Sequence, residues 1–205
     1  MYFDNAATSW PKPKAVAKKM GEAVLKAGNP GRGAHPAAIW SADMIYQTRE
    51  EVANLFGLQN PLQIGFTENA TGALNFAVSQ IKGTIMTTAM EHNSVLRPCY
   101  AKEKENLIVI PADTKGDLDL DFFLYQIRTK RPKGVIMTHA SNVTGTIYDV
   151  ARIGEECEKQ KILFIVDVSQ TAGVVPINME EMKLAGFPLW RYHRFLAVPT
   201  SPYVR

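Results

Sequence analysis

The sequence contains only two cysteines, Cys99 and Cys157, and has no Cys-x-x-Cys spacing. Two cysteines are too few for the disulfide framework of a small secreted protein, and their spacing does not match a metal site. Both lie among apolar residues on predicted helices, which is typical of small buried side chains rather than of reactive thiols. We therefore expect two reduced cysteines without chemical roles, and no metal site.

The sequence also lacks a long apolar run and a concentration of charge. No window approaches ~20 consecutive apolar residues, and the N-terminus has no basic segment followed by an apolar stretch. The formal net charge is only +3, without a Lys or Arg run, which argues against an electrostatic surface for nucleic acid. We expect a soluble cytoplasmic protein that binds neither membrane nor nucleic acid.

The apolar content is high enough to build a core. The 205 residues are 46% hydrophobic, and this length is near the upper end for one ordinary domain. Apolar residues recur at helical spacing from Lys12 to about Ala27 and from Ala37 to about Phe56. The glycine-rich segment between these two predicted helices, residues 28–35, predicts a loop.

After Asn60, short apolar runs alternate with helical stretches. This pattern is typical of βαβ units and a largely parallel sheet, so the predicted fold class is α/β. The predicted strands are Gln63–Phe66, Thr84–Thr88, Leu107–Ile110, Gly134–His139 and Ile162–Val166. The predicted helices of this region are Ala70–Gln80, Ser94–Lys104, Leu118–Arg128 and Ala151–Lys159.

Ligands of open α/β sheets bind outside the carboxyl ends of the strands. The first predicted strand runs into TENATGALN, where the helix that begins at Ala70 and Thr71 offers amide groups and a positive dipole end to a phosphate. Taken alone, however, this segment is better explained as simple N-capping by Thr67, Asn69 or Thr71.

Two further strand ends carry polar residues. The second strand ends in AMEHNS, which places Glu91, His92 and Asn93 before the next helix, although a lone histidine here is more often a cap or a surface residue. The fourth strand is followed by ASNVTG, where Asn142 and Thr144 can either donate to a ligand oxygen or shape a turn. Neither segment by itself decides between binding and local structure.

The most informative segment is ILFIVDVSQT, in which five apolar residues precede Asp167 and polar residues follow it. A carboxylate at the end of a buried strand is costly unless a cation or several donors stabilise it. A buried helix cap or a structural arginine partner explains such a carboxylate about as well as a cationic ligand does. Asp167 alone therefore leaves the choice open.

Taken together and in order, six segments resemble the class V aminotransferase family of pyridoxal-phosphate enzymes, most closely the cysteine desulfurases. The segments are YFDNAATS, NPGRGAH, FTENATGALN, EHNS, HASNVTGT and VDVSQTAG. The resemblance implies transferase fold type I, with residues 1–187 forming an N-terminal segment and most of the cofactor-binding large domain. It also implies pyridoxal 5′-phosphate as cofactor, cysteine as substrate, and a homodimer that passes sulfur to an acceptor protein.

The resemblance assigns a role to each polar strand end. Asp167 would pair with the protonated pyridine nitrogen of the cofactor. His92, the one catalytic candidate, would stack on the ring and could assist proton movement. Asn142 and Gln170 would flank the phenolic oxygen of the ring. The implied cofactor contacts are Ala70 and Thr71 at the phosphate, together with His92, Asn142, Asp167 and Gln170.

The sequence departs from the family pattern beyond residue 187. Family members carry a Ser-x-His-Lys motif whose lysine forms the Schiff base with the cofactor, but no lysine follows Lys183 here. Arg194 cannot replace it, because an arginine stays protonated. We therefore expect a chain truncated before the Schiff-base lysine and inactive alone, with a frameshifted tail at residues 188–205 and no C-terminal small domain.

Two other functions compete with that of an enzyme. One is a non-catalytic remnant that acts as a binding module for the cofactor or for a partner such as an intact homologue. The other is a nucleotide-binding domain built on Gly28, Gly31 and Gly33. The second is disfavoured, because these glycines follow no predicted strand and lack the spacing of a dinucleotide-binding fingerprint.

Overall fold

The computed structural model describes residues 1–103, 106–182, 188–189 and 196–199. They belong to two units, Met1–Glu51 and Val52–Arg205. The first unit contains helix α1 (Lys14–Lys26) and most of helix α2 (Pro36–Leu55), which continues into the second unit. Both helices lie within two residues of their predicted bounds, and no residue of α1 is buried.

The second unit alternates strands and helices as the sequence predicts. After a short 3-10 helix at Pro61–Gln63, the order is β1 (Ile64–Thr67), α3 (Ala70–Gln80), β2 (Ile85–Thr88), α4 (Asn93–Glu103), β3 (Leu107–Ile110), α5 (Leu120–Lys130), β4 (Gly134–Thr138), α6 (Val150–Gln160) and β5 (Leu163–Asp167). Every predicted strand and helix is present within two residues of its predicted bounds. The predicted α/β fold class is confirmed.

Five strands form a parallel sheet in the order β3, β2, β4, β5 and β6, where β6 is Pro188–Leu189. The chain passes from β2 outward to β3 and then returns to β4 on the other side of β2. The gap between β2 and β4 is therefore the topological switch point, where ligands of such sheets bind. The two strands pair only at Ile85–Gly134 and Met86–Val135, and no ladder pairing continues toward their carboxyl ends.

Helices cover both faces of this sheet, and side-chain alternation along the strands explains how. Ile136 and Ile165 belong to a core cluster with residues of α3 and α4. Their neighbours Val135, Phe164 and Val166 belong to a second cluster, which includes residues of α5 and α6. Because all of these strand residues are fully buried, the near-continuous apolar runs in the sequence follow directly from burial on both faces.

The structure adds two short strands beyond residue 187, where the sequence predicted none. β6 pairs in parallel with β5, and β7 (Leu196–Pro199) pairs antiparallel with β1. Residues 183–187, 190–195 and 200–205 lie outside the described residues. The expected frameshifted tail at 188–205 falls largely on them and stays a prediction.

Candidate cofactor site

The polar residues singled out in the sequence lie where β1, β2, β4 and β5 end. His92 follows β2, Asn142 follows β4, and Asp167 is the last residue of β5. Since β2, β4 and β5 run parallel in one sheet, these three residues lie along the same edge of the sheet. The edge includes the β2–β4 switch point, as expected for a ligand site.

Helix α3 begins directly after β1 and is capped by Asn69, one of the three capping candidates. The Asn69 side chain accepts a hydrogen bond from the Gly72 amide at 2.8 Å. Ala70 and Thr71 are the first two residues of the helix, where amide groups have no partner within the helix itself. The capping interpretation is thus confirmed for Asn69, and it leaves the dipole end at Ala70 and Thr71 suited to an anion.

A hydrogen-bonded row of three side chains joins the start of α3 to the start of α4. The Thr71 and Ser94 hydroxyl oxygens are 3.0 Å apart, and the Ser94 oxygen lies 2.8 Å from His92 Nδ1. The Ser94 amide also lies 3.1 Å from His92 Nδ1. Because an amide N–H can only donate, Nδ1 is the accepting nitrogen, and the neutral ring carries its proton on Nε2.

This tautomer fixes the direction of the row. The Ser94 hydroxyl donates to His92 Nδ1, and the Thr71 hydroxyl donates to Ser94. His92 therefore does cap α4, which was the local explanation for a lone histidine here. The same contact also holds the imidazole in one orientation next to the N-terminus of α3, because Thr71 is the second residue of that helix.

Glu91 bridges the ends of β2 and β4 where the ladder between them has stopped. Its Oε1 accepts the Thr88 hydroxyl at 2.6 Å and the Thr138 amide at 2.9 Å. Its Oε2 is buried and has no hydrogen-bond partner among the described residues. The Glu91 side chain thus substitutes for a backbone ladder bond at the switch point.

The environment of Glu91 favours its neutral form. The pKa of this carboxyl is raised to about 8, mainly by burial and to a smaller extent by the negative charge of Asp167, although the hydrogen bonds from Thr88 and Thr138 act in the opposite direction. Since Oε1 already accepts two hydrogen bonds, the proton of the neutral acid belongs on Oε2. A buried carboxylic acid therefore lies within electrostatic range of Asp167.

Asp167 is 5% exposed and is held by backbone contacts on two sides. Its Oδ1 accepts the Ser169 amide at 2.9 Å, and its carbonyl oxygen accepts the His139 amide at 2.9 Å. Thr138 is its ladder partner on β4. Asp167 is thereby connected to Glu91 through a single residue, Thr138, which contacts both.

A second buried polar pair lies behind this edge. His139 Nδ1 is 2.9 Å from the Thr171 hydroxyl, and both residues are at most 4% exposed. Burial lowers the pKa of His139 below its ordinary value of 6.5, so this imidazole is neutral at neutral pH. It links the turn after β5 to the end of β4.

Asn142 and Gln170 lie less centrally. Asn142 is exposed in the turn 141–147, which is held by the Ser141 amide donating to the Thr146 carbonyl at 3.0 Å. Gln170 is half-buried in the turn after β5. Among the described residues, no hydrogen bond joins Asn142 to the other five predicted cofactor contacts. The role of Asn142 and Gln170 at the phenolic oxygen of the ring stays a prediction.

Sequence reasoning missed three residues of this site. Ser94 and Thr138 carry common side chains at positions where capping and strand pairing are sufficient explanations. Glu91 was visible at the end of β2, but its burial depends on the separation of β2 from β4, which no local pattern encodes. A glutamate three residues after the end of a buried strand is the signal that the sequence offers.

The two cysteines are outside the site, as expected. Both are fully buried within the two core clusters, and both thiols are free. Burial raises the pKa of Cys99 to about 12 and raises that of Cys157 as well. The interpretation of both as small buried apolar side chains is confirmed.

Comparisons of the sequence and of the structure with known proteins point to the same family. A family model described as Aminotransferase class-V matches residues 1–186. The cysteine desulfurase IscS of Vibrio atlanticus is 34% identical over 196 residues, which cover 90% of this chain and 48% of the relative. The IscS protein of Pasteurella multocida is 36% identical over the same length and with the same coverage. The chain spans about half the length of these curated relatives.

Solved structures agree with the sequence matches. The apo structure of cysteine desulfurase from Thermococcus onnurineus superimposes with a TM-score of 0.88 at 28% identity, covering 98% of this chain and 54% of that one. A NifS-like protein from Rickettsia africae gives a TM-score of 0.85 at 25% identity, covering 97% and 57%. On the fold, the sheet-edge residues and the match over residues 1–186, the chain belongs to the class V aminotransferase family.

Proposed function

We propose that the chain carries the part of a pyridoxal-phosphate-dependent cysteine desulfurase that holds the cofactor. The observation that supports this most directly is the sheet edge that brings together a buried carboxylate, an imidazole and a helix N-terminus. These are Asp167, His92 and the start of α3 at Ala70 and Thr71. The release of sulfur from cysteine is proposed for the whole protein, because the chain spans about half of its relatives.

The residues present fit pyridoxal phosphate in chemical type. The cofactor has a cationic ring nitrogen at one end and a phosphate at the other, so it requires a carboxylate and a cluster of donors at separate positions. Asp167 supplies a carboxylate that is 5% exposed, while the α3 N-terminus and the Thr71 hydroxyl supply donors for an anion. The carboxylate and the helix N-terminus follow different strands, β5 and β1.

When bound, pyridoxal phosphate supplies an electron sink for breaking bonds at the Cα of an amino acid. Asp167 would hold the proton on the ring nitrogen, because a buried carboxylate stabilises a nearby cation strongly. His92 would lie over the ring, with Nδ1 occupied by Ser94 and the Nε2 proton left for exchange. Asn142 and Gln170 would hydrogen-bond the phenolic oxygen and orient the ring.

Titration of the purified chain with pyridoxal 5′-phosphate tests this proposal. We expect reversible binding that can be followed by calorimetry and by cofactor absorbance. The variant Asp167→Asn should weaken binding by roughly tenfold or more, since it removes a charge-assisted contact. Asp121→Asn is the matched control, because that carboxylate is 90% exposed. Equal affinities for Asp167→Asn and the unmodified chain would contradict the proposed ring contact.

Catalysis is tested separately from binding. We expect no alanine from cysteine when the chain is incubated with cofactor, because no lysine follows Lys183 and the family resemblance implies a Schiff-base lysine beyond that position. Cofactor binding without alanine formation would favour the binding-module interpretation for the chain alone. Sustained alanine formation would show that the missing lysine motif is dispensable here.

We also propose a homodimer and a sulfur-acceptor protein as partners of the whole protein. Exposed apolar side chains on α1 support an interface, since Met20, Val24 and Leu25 are 63%, 85% and 86% exposed. Light scattering after size-exclusion chromatography tests the dimer, and a monomer at all concentrations would contradict it.

No described helix is long and apolar enough to cross a membrane, and the cytoplasmic location stays a prediction.

A further inference from the structure

The β2–β4 switch point contains a buried carboxyl group to which neither the sequence motifs nor the proposed cofactor contacts give a role. Glu91 is 7% exposed, one of its oxygens accepts two hydrogen bonds, and the other has no partner among the described residues. Burying an acid in this way is costly unless the surrounding structure requires it. The position of Glu91 therefore calls for a functional explanation.

The two bonds of Glu91 connect residues that the β2–β4 ladder leaves apart. Ladder pairing between these strands stops at Met86 and Val135, whereas pairing between β4 and β5 continues to Thr138 and Asp167. The contact from Glu91 to the Thr138 amide spans this gap. On its other side, Glu91 is covalently joined to His92, whose carbonyl oxygen accepts the Val95 amide at the start of α4.

We propose that Glu91 is a positioning residue that fixes His92 relative to Asp167 by bridging β2 and β4. The inference rests on the proposed function, in which His92 and Asp167 contact one cofactor ring. The path has two steps, from Glu91 to Thr138 by a hydrogen bond and from Thr138 to Asp167 by strand pairing. A neutral acid makes this bridge without placing a second negative charge beside Asp167.

The groups that face Glu91 make its protonation state consequential. Asp167 acts on it from the end of β5. Glu91 in turn acts on Cys99 of α4 and on Tyr148, which precedes α6. Of these groups, Asp167 carries the negative charge that opposes ionisation of Glu91. The raised pKa values of Cys99 and Tyr148 leave both groups neutral where Glu91 titrates.

Two substitutions of Glu91 distinguish the effect of its hydrogen bonds to Thr88 and Thr138 from the effect of its ionisable group. Glu91→Gln keeps an oxygen acceptor for Thr88 and Thr138 and places an uncharged NH2 group where Oε2 lies. Glu91→Met keeps similar length but has no oxygen, and it leaves the Thr138 amide unpaired. Glu180→Met is the control for the methionine change, because Glu180 is exposed.

The experiment uses the full purified chain without cofactor, labelled uniformly with 15N, and records the histidine imidazole signals and the Ser94 amide signal. The sequence has only four histidines, and His35, in the other unit, serves as reference. We expect Glu91→Met to shift the His92 and Ser94 signals and to lower the melting temperature by roughly 4–10 °C. At pH 6, Glu91→Gln should have the same His92 and Ser94 signals and the same melting temperature as the unmodified chain.

Three results would overturn the proposal. Unchanged His92 and Ser94 signals in a destabilised Glu91→Met variant would show a purely structural role. Signals in Glu91→Gln displaced as far as in Glu91→Met would show that the bridge is not what matters. If Glu91→Met does not fold, displaced signals in Glu91→Gln at pH 6 still overturn it. Failure to bind pyridoxal phosphate would contradict the proposed function alone, because these spectra are recorded without cofactor.

Discussion

Replacing Glu91 with glutamine should change how the stability of the chain depends on pH. Glu91 has an ordinary pKa of 4.5, and burial raises it to about 8 in the folded chain. Between these two values the folded chain keeps a proton that the unfolded chain has lost. Stability is therefore fully present below pH 4.5 and falls as pH rises toward 8. Glu91→Gln has no proton to lose and should not show this decline.

The size of the effect follows from the difference between the two pKa values. At about 1.36 kcal/mol per pKa unit, the difference between 4.5 and about 8 corresponds to roughly 5 kcal/mol of unfolding free energy. This is comparable with the whole stability of many domains. By pH 9 the unmodified chain should therefore have lost most of this free energy relative to pH 5, whereas the glutamine variant should not show that loss.

Urea denaturation followed by circular dichroism, at intervals from pH 5 to pH 9, measures this difference. The range above pH 6.5 is the most informative. Burial lowers the pKa of His139 below 6.5, so the contribution of His139 rises with pH only up to that value and is constant above it. Glu180→Gln, at an exposed position, should give a profile parallel to that of the unmodified chain. Parallel profiles for Glu91→Gln and the unmodified chain would refute the argument.

Two further predictions concern groups away from the sheet edge. Lys102 of α4 donates to the carbonyl oxygens of Val78, Ser79 and Ile81 at the end of α3. Lys102→Met should therefore lower the free energy of unfolding, measured by urea denaturation, by about 1–2 kcal/mol. The exposed control Lys82→Met should lower it little, and an equal loss for both variants would exclude a capping role. The two cysteines, Cys99 and Cys157, are fully buried, so neither should react with a thiol reagent at pH 8 until urea unfolds the chain, and rapid labelling of the folded chain would contradict their burial.

The agreement between predicted and observed elements has a simple physical basis. The strands of this sheet are buried on both faces, so their sequences are continuous apolar runs that stand out from the amphipathic helices between them. Side chains such as Asp119 and Asp149 cap the following helices, accepting from the Phe122 and Arg152 amides, and such caps keep boundaries within two residues of prediction. The short strands β6 and β7 have no such pattern, and pairing with β5 and β1 defines them instead.

The site could be predicted only in part, because its residues differ in how local their environments are. Asp167 ends a buried strand, so its unusual burial is encoded in the residues next to it. Glu91 also follows a buried strand, but its bonding partner Thr138 is 47 residues away. The sequence can show that an acid follows β2; it cannot show that β4 diverges there.

The same divergence explains why a side chain with an oxygen acceptor, rather than an apolar side chain, suits this position. Where β2 and β4 separate, the Thr138 amide loses its ladder acceptor and needs another oxygen. A carboxyl group reaches it and also accepts the Thr88 hydroxyl. Burial, with a smaller contribution from the charge of Asp167, favours the neutral acid, whose proton then lies on the one oxygen without a described partner. The separation of β2 from β4 therefore places one buried acid close to Asp167, the carboxylate that we propose holds the cofactor ring.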